Sequence, residues 1–438
     1  MKHAIRGAML TFRSDPFIHG VDASMVYDSD AIIRMVGGRI AEFGPASVML
    51  PRLEEGEKLT HHANGLILPG FIDCHVHYPQ IQVIGSYGVQ LMEWLSRYTF
   101  PAEQSFKDKD HAREVAQIYL RENLRNGITS ASSFCTIFPQ SVDALFEEAM
   151  RYDMRLMAGK VMMDRNAPAG LLDTAQSSYD DSKALIERWH NKGRFEYVIT
   201  PRFAPTSTPE QLEAAAALAR ENPGMLIQSH VSENLKEIAL VRELFPDCAS
   251  YTDVYRNYGL LRPRAIYGHG IHLSDKELSM FHEADASIAH CPTSNLFIGS
   301  GCFRLEDAQY HSNRPVRVGL ATDLGGGTSF SMLQTMGEAY KVSQLNSFPL
   351  SGPHAFYLAT RGSARALHLD DKIGSIEPGM EADLVVLDMH STPLIDYRMK
   401  YCESIAEALF IQMTLADDRA VLATYVNGTC VYNRGENA

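Results

Sequence analysis

The chain has 438 residues, of which 45% are hydrophobic and 21% are charged, and this composition excludes disordered, collagen-like and disulfide-framework proteins. A formal net charge of −13, without a run of Lys and Arg, argues against nucleic acid as a partner. The length allows two to four ordinary domains, or one barrel of roughly 250–300 residues with a smaller domain beside it.

The start of the chain and its cysteines indicate the expected compartment. The first residues, MKHAIRGAMLTFRSD, lack the apolar stretch of a signal peptide, and no apolar run of about 18 residues occurs elsewhere. The seven cysteines are odd in number, widely spaced and without a CxxC pair. We therefore expect reduced thiols, no thiolate zinc site and a cytoplasmic protein that does not contact membranes.

The two ends of the chain share a β-rich pattern. Residues 1–68 contain the short runs AMLTF, AIIRMVGG and RIAEFG, and residues 375–438 contain ADLVVLD and ATYVNGTCVY around one helical stretch. Neither piece is long enough to bury a good core by itself. We therefore predict that residues 1–68 and 375–438 form one composite β-sandwich domain.

The middle of the chain, residues 69–374, is predicted to form a catalytic (β/α)8 barrel, or TIM barrel. Eight short β-rich runs alternate there with stretches of helical spacing, which is the pattern of this α/β fold. One helical stretch begins at STPEQ, where Ser207 or Thr208 is expected to cap the helix with Pro209 in its first turn. An open doubly wound sheet is disfavoured because no Gly-rich phosphate turn follows the first run. In chain order the runs are LILPGFIDCHVH, ITSASSF, RLMAGKVMM, FEYVITPRF, MLIQSHVSE, AIYGHG, ASIAHCPTSN and VRVGLATD.

Metal-binding side chains stand at the carboxyl ends of the predicted strands. The first predicted strand ends in His75 and His77, the fifth in His230, the sixth in His269 and the eighth in Asp323. The two-residue period of a strand places His75 and His77 on one face, and a barrel gathers the carboxyl ends of its strands at its active face. Three imidazoles and a carboxylate suit Zn²⁺, with Fe²⁺ as the second choice. The sequence therefore predicts one divalent metal ion at this face.

Such a site serves hydrolysis, because a divalent ion lowers the pKa of a bound water from about 15.7 to about 7. Asp323 could take the proton of this water, and Glu233 could shuttle a proton to the substrate or leaving group. Glu233 could instead cap the helix that begins NLKEIAL. His269 could be either a further ligand or an orienting group, and residue spacing does not decide between these alternatives.

Three further features near the strand ends carry less weight. Lys160 could be a carboxylated lysine that bridges two metals, but it lies well before the end of its run, which favours one metal. His290 ends the seventh predicted strand, and its Cys-Pro neighbours favour a structural turn. The glycines at 325–327 lack the Lys and the spacing of a phosphate-binding loop, so we expect them to let the backbone approach the substrate or Asp323.

At these residues the sequence resembles the amidohydrolase superfamily. PGFIDCHVH and the later ATD carry the resemblance, which extends over nearly the whole chain through motifs such as EWLSRYTFPAE, YGHGIHL and AHCPTSNLFIGSG. The added elements HYPQ, PRF and HVSEN narrow it to the branch that deaminates guanine. The resemblance implies a hydrolase acting on a C–N bond of a cyclic amidine, which converts guanine and water into xanthine and ammonia.

The resemblance also implies roles for individual residues. The set implied to bind one zinc ion per chain is His75, His77, His230 and Asp323. The set implied to contact the purine is Gln80, Arg202, Phe203 and Glu233. In catalysis, His269 and Asp323 would act on the hydroxide, and Glu233 would shuttle a proton to the purine ring. A homodimer is expected for such a barrel.

Two other functions stay open at this point. A related hydrolase could remove an amine or a chloride from a pterin, cytosine, an adenosine thioether or an s-triazine. A metal-free barrel could instead serve as an interaction protein, although all the expected ligands are present in this sequence.

Overall fold

Strands from both ends of the chain pair in one seven-stranded sheet of the computed structural model, which describes residues 2–87, 90–310 and 314–435. β1 and β4 are parallel neighbours, and the other pairs are antiparallel. The pairing of β4 with β15 joins the amino-terminal strands to the carboxyl-terminal ones. From one edge to the other the strands are β17 (Thr429–Asn433), β16 (Val421–Val426), β15 (Leu384–Asp388), β4 (Lys58–Pro69), β1 (Lys2–Phe12), β2 (Met25–Val36) and β3 (Arg39–Pro45).

This sheet has an apolar cluster of its own, which includes Ile5, Ile33 and Leu384. The β2–β3 hairpin turns at Gly37 and Gly38, whose φ angles of +59° and +80° favour glycine. The predicted β domain built from both termini is confirmed, with its strands joined in one hydrogen-bonded sheet. Its division from the barrel at 68/69 and 374/375 stays a proposal, and residues 1 and 436–438 of it lie outside the described part.

Eight parallel strands follow the eight predicted runs in order. The first four are β5 (Phe71–His77), β6 (Ile128–Phe134), β7 (Arg155–Gly159) and β9 (Phe195–Tyr197). The last four are β11 (Ile227–Val231), β12 (Ala265–His269), β13 (Ser287–His290) and β14 (Arg317–Leu320). Two short strands, β8 (Val161–Met162) and β10 (Thr200–Pro201), pair beyond β7 and β9.

The first four of these strands form one parallel sheet and the last four form a second. The two sheets contact each other at both of their edges. Ile199 forms a parallel bridge with Ile227, and the backbone N–H of Asp323 donates to the carbonyl oxygen of His75 at 3.0 Å. Every residue of β5 and β6 is buried, as expected when helices cover the outside of a parallel sheet and side chains fill its inside. These contacts arrange the strands as in a (β/α)8 barrel, and the predicted fold class is confirmed.

Helices occupy the connections between the barrel strands. In α9, Thr208 caps the helix by accepting from the N–H of Gln211, and Pro209 stands at the first helical position, as predicted. Among the described residues, no helix is both long and apolar enough to cross a membrane. The helices are α1 (Pro16–His19), α2 (Val21–Ser24), α3 (Ala46–Met49), α4 (Leu91–Trp94), α5 (Phe100–Gln104), α6 (Lys109–Arg125), α7 (Pro139–Ala149), α8 (Ala175–Trp189), α9 (Pro209–Glu221), α10 (Leu235–Leu244), α11 (Tyr251–Asn257), α12 (Asp275–Glu283), α13 (Pro292–Phe297), α14 (Leu305–Tyr310), α15 (Met332–Leu345), α16 (Gly352–Tyr357), α17 (Ser363–Ala366), α18 (Pro393–Met399) and α19 (Ile405–Leu415).

The connection from β5 to α6 carries several short helical turns. A 3₁₀ turn, Tyr78–Val83, follows β5 directly, and a π-helical turn, Leu95–Thr99, joins α4 to α5. We call α4, this π-helical turn and α5 the cap. Its apolar side chains, which include Leu91 and Trp94, cluster with Phe203 and Ile298 from other connections.

Candidate active site

Three histidines and one aspartate meet at the carboxyl ends of the barrel strands. His75 and His77 lie on β5, His230 lies on β11, and Asp323 lies three residues beyond the end of β14. The ring of His230 is held by a 2.7 Å contact between its Nδ1 and the carbonyl oxygen of Arg202. If Nδ1 carries the proton of that hydrogen bond, Nε2 is left with a lone pair that faces the other imidazoles.

The distances between these donor atoms match those around a single ion. His230 Nε2 lies 3.2 Å from His75 Nε2 and 3.1 Å from His77 Nε2. Asp323 Oδ1 lies 3.6 Å and 3.5 Å from the same two histidine nitrogens. Bonds of about 2.0–2.1 Å in a tetrahedron place the ligand atoms roughly 3.3–3.4 Å apart. The four distances from His75 and His77 to His230 and Asp323 are therefore close to the spacing of ligand atoms around one ion.

Burial keeps these histidines in the form that binds metals. It lowers the pKa of His75, His77 and His230 well below the usual value for histidine, and the neighbouring imidazoles lower it further. Neutral imidazole nitrogens and carboxylate oxygens are common ligands of divalent ions such as Zn²⁺. The residues present therefore fit the metal that the sequence predicts.

His269 and Glu233 stand beside this group. His269 Nε2 lies 3.4 Å from Glu233 Oε2 and 3.7 Å from Asp323 Oδ2. On its other side, His269 Nδ1 lies 2.8 Å from Asn295 Oδ1. Since an amide oxygen accepts, Nδ1 donates in this contact, and Nε2 faces the space between Glu233 and Asp323.

Glu233 points into the site and does not cap the following helix. The capping box of α10 is formed by Asn234 and Glu237, and Glu233 is 3% exposed. Ser300 donates to Glu233 Oε1 at 3.0 Å, which leaves Oε2 toward His269. Burial raises the pKa of Glu233 to about 7, so this carboxyl group can both hold and release a proton near neutral pH.

Backbone strain accompanies these positions. Ser232, His269 and Asp323 have φ angles of +48°, +73° and +48°, in the left-handed region that non-glycine residues seldom adopt. Each costs of the order of 1 kcal/mol or more. All three follow or end a barrel strand, so the strained turns set the direction of side chains at the mouth of the barrel.

The predicted purine-binding residues line one cavity next to the donor atoms. Gln80 reaches it from the 3₁₀ turn after β5, and Arg202 and Phe203 reach it from the end of β10. The cap contributes Leu91, Trp94 and Leu95 to the wall, and Ile298 adds a further apolar side chain. The cavity is therefore apolar on the cap side and polar at its base, a composition typical of small-molecule sites.

Sequence reasoning missed a buried carboxylate behind this cavity. Glu103, on α5, accepts from Arg202 Nη1 through both oxygens at 3.0 Å and from Gln80 Nε2 at 3.0 Å. Asn295 and Ser300, which hold His269 and Glu233, were also missed. All three lie within the motifs EWLSRYTFPAE and AHCPTSNLFIGSG, but a motif does not indicate which of its polar side chains turns inward.

The remaining candidates have other roles in the structure. Lys160 is fully buried and paired with Asp173. His290 packs on Phe303 with ring centroids 5.0 Å apart. A side chain at Gly325 would collide with Gln80, and one at Gly326 would collide with Ser294, so these glycines allow the backbone to approach the site.

Comparison with known proteins agrees with this geometry. The amidohydrolase family matches residues 66–431. A guanine deaminase from Escherichia coli is 47% identical over 432 residues, which are 98% of this chain and 98% of that relative. The solved structure of E. coli guanine deaminase superposes with a TM-score of 0.96 at 47% identity, over 99% of this chain and 100% of that one. Guanine deaminase from C. acetobutylicum, solved with bound guanine, superposes with a TM-score of 0.88 at 27% identity, over 99% and 100%.

The family match covers most of the chain and confirms the resemblance carried by PGFIDCHVH and ATD. Its residue range begins within β4 and includes the whole barrel together with β15 and β16 of the terminal sheet. The chain belongs to the amidohydrolase family.

Proposed function

We propose that the protein is a metal-dependent guanine deaminase, which hydrolyses guanine to xanthine and ammonia. One observation carries the proposal: a single cavity is lined by three of the four metal donors (His77, His230 and Asp323), by the buried Glu233 and by the pair Gln80 and Arg202. The likeness to E. coli guanine deaminase over the full length supports the same reaction.

His75, His77, His230 and Asp323 would hold the ion, and we propose Zn²⁺ because three imidazole nitrogens and a carboxylate oxygen suit it, with Fe²⁺ as the alternative. When bound, the ion supplies a water acidic enough to attack at neutral pH. His269 Nε2 accepts a hydrogen bond from the attacking group, since Nδ1 is committed to Asn295. Together with Asp323, His269 orients that group toward the purine.

Glu233 moves the proton. Its pKa of about 7 lets it take a proton through Oε2, the oxygen that faces His269, and deliver it to the purine ring or to the departing amine. The hydrogen bond from Ser300 to Oε1 keeps Oε2 in this position. Proton transfer by a positioned carboxyl group contributes typically 10²- to 10⁴-fold to a rate.

The cavity wall positions the base. Phe203 and the cap residues offer flat apolar contact to a purine, while Gln80 and Arg202 offer hydrogen bonds at its edge. A base with the wrong edge would leave these buried polar groups unpaired and would bind less well. The apolar cap also limits the access of bulk water to the reacting groups.

Three finer features belong to the same proposal. We propose one zinc ion per chain, a homodimer and a cytoplasmic location, all as expected from the sequence. Metal analysis of the purified protein tests the first, and gel filtration with light scattering tests the second. Fractionation of cells that produce the protein, followed by immunodetection, tests the third.

A panel of substrates tests the proposed reaction. Purified protein is incubated with guanine, adenine, cytosine, a pterin and an s-triazine, and ammonia release is measured. We expect rapid release from guanine and little from the others. Faster turnover of a pterin, cytosine or a triazine would mean that this compound, and not guanine, is the substrate. A protein with neither bound metal nor turnover would support the alternative of a metal-free interaction protein.

A further inference from the structure

Glu103 contacts both hydrogen-bonding residues of the purine pocket but does not line the cavity. We propose that Glu103 is a positioning residue that fixes which atoms of this pocket donate and which accept hydrogen bonds, so that the pocket selects a purine with a lactam edge. A lactam edge presents a carbonyl oxygen next to a ring N–H. The inference rests on the proposed function, since it concerns the specificity of the same site.

The position of Glu103 is set by burial and by its two partners. Its side chain is 1% exposed and lies on α5, within the cap. Arg202, whose guanidinium is also buried, is 99 residues away in the chain and donates to both carboxylate oxygens. The pair neutralises two charges that would each be costly to bury alone. The pocket therefore presents Arg202 as a donor without an uncompensated positive charge.

The carboxylate also decides which end of the Gln80 amide faces it. An ionised carboxylate can only accept hydrogen bonds, so the Gln80 atom at 3.0 Å from Glu103 Oε1 is the amino nitrogen Nε2. The amide oxygen Oε1 is then on the opposite side, against Gly325, where even a Cβ atom would approach it to 2.3 Å. Gln80 is held between Glu103 and Gly325 with its oxygen as the free acceptor.

Glu103 holds Arg202 so that it offers hydrogen-bond donors to the pocket. Both of its bonds to Glu103 come from Nη1, so Nε and Nη2 are not committed to the carboxylate. The guanidinium has no acceptor of its own. The pocket therefore combines one fixed donor, Arg202, with one fixed acceptor, the Oε1 atom of Gln80.

This combination matches one class of purine edge. Guanine presents a carbonyl oxygen, which accepts, beside a ring N–H, which donates. Adenine presents the reverse pattern, an amino donor beside a ring acceptor. 2-Aminopurine keeps the amino group at C2 that would be removed, but it has neither the carbonyl oxygen nor the ring N–H. It is therefore a probe of the edge contacts that leaves the reacting position unchanged.

The test compares Glu103→Gln with wild type on guanine and on 2-aminopurine. The amide has nearly the same shape as the carboxylate, but it can donate as well as accept, so it no longer fixes the orientation of Gln80 or balances Arg202. We expect kcat/KM for guanine to fall by about 100-fold, mainly through KM, and kcat/KM for 2-aminopurine to fall by less than about 5-fold. Glu93→Gln, an exposed carboxylate on the same cap, is the matched control and should change neither value.

Metal content and thermal unfolding are measured for each variant, so that a general loss of structure is recognised. If Glu103→Gln does not fold, Glu103→Asp carries the same test, since it keeps the charge but withdraws the carboxylate by one methylene. For Glu103→Asp we expect the ratio of kcat/KM for guanine to kcat/KM for 2-aminopurine to fall by an intermediate factor. If a folded Glu103 variant shows the same fall in kcat/KM for both substrates, or no fall for either, the inference is overturned. The proposed function is not affected by that result, provided that wild type turns over guanine. Absence of guanine turnover by metal-loaded wild type would instead overturn the proposed function, and this inference with it.

Discussion

Glu381 is predicted to be a large single contributor to stability, because it lies between two buried arginines. Its carboxylate accepts from Arg155 at 2.7 and 2.5 Å and from Arg194 at 3.0 and 2.5 Å. Arg155 begins the barrel strand β7, Arg194 directly precedes β9, and Glu381 lies three residues before β15 of the terminal sheet. These contacts tie the barrel to the terminal sheet.

The magnitude follows from the pKa of Glu381. Burial by itself would raise this pKa, but the hydrogen bonds and charges of Arg155 and Arg194 outweigh burial and lower it to about 2. Against an ordinary value near 4.5, this difference corresponds to roughly 3 kcal/mol. Removing one partner of a buried ion pair costs a similar amount, about 3–5 kcal/mol. We therefore expect Glu381→Gln to destabilise the fold by about 3–5 kcal/mol at pH 7.

Thermal unfolding measures this loss. With an unfolding entropy of about 2.1 cal/mol/K per residue, a chain of 438 residues loses about 1 °C of Tm per kcal/mol, so Tm should fall by about 3–5 °C. Since the folded pKa is lowered, the contribution of Glu381 is present above pH 4.5 and is lost as pH falls toward 2. The difference between wild type and variant should therefore shrink as pH falls below 4.5.

A control variant separates burial from charge alone. Glu377 pairs with Arg361 at 2.8 Å, but its side chain is 37% exposed, so Glu377→Gln should cost under about 1 kcal/mol. A Tm of Glu381→Gln within 1 °C of wild type at pH 7, or a difference that does not change with pH, would refute this reasoning.

Three substitutions test the site itself. Glu233→Gln should retain the metal and lower kcat by about 10²- to 10⁴-fold, as measured by xanthine formation, because the proton carrier is lost; near-normal turnover would remove Glu233 from this role. Asp323→Ala should reduce both metal content, measured by elemental analysis, and activity; survival of both would mean that the ligand set is misassigned. Arg202→Ala should lower kcat/KM for guanine by at least about 10-fold with little change in metal content, and an unchanged kcat/KM would argue against its place in the pocket.

The barrel could be predicted because its strands are short, apolar and regularly spaced. The runs that contain His77, His230 and His269 follow from local pattern alone, and each of them forms a strand at the expected place. The composite sheet was predictable for a different reason, since neither end of the chain could bury a core alone. The order of its seven strands was not, because pairing of β4 with β15 depends on contacts more than 300 residues apart.

The site was predictable where its chemistry lies at strand ends. His75 and His77 share a face through the two-residue period of β5, and this needs no tertiary information. The supporting shell was not predictable in the same way. Glu103 meets Arg202 across 99 residues, and Asn295 meets His269 from another connection, so these pairings follow from the packed barrel. Whether Glu233 or Asn234 caps α10 was likewise decided by backbone geometry beyond the strand end.

Metal-dependent hydrolysis of guanine is the central claim, and one measurement tests it most directly. The purified protein is stripped of metal with a chelator, reloaded with Zn²⁺, and incubated with guanine while xanthine and ammonia are quantified. We predict that the loaded protein forms xanthine and ammonia in equal amounts, that stripping abolishes turnover, and that reloading restores it. Protein that is folded and carries the ion but leaves guanine unchanged would contradict the claim.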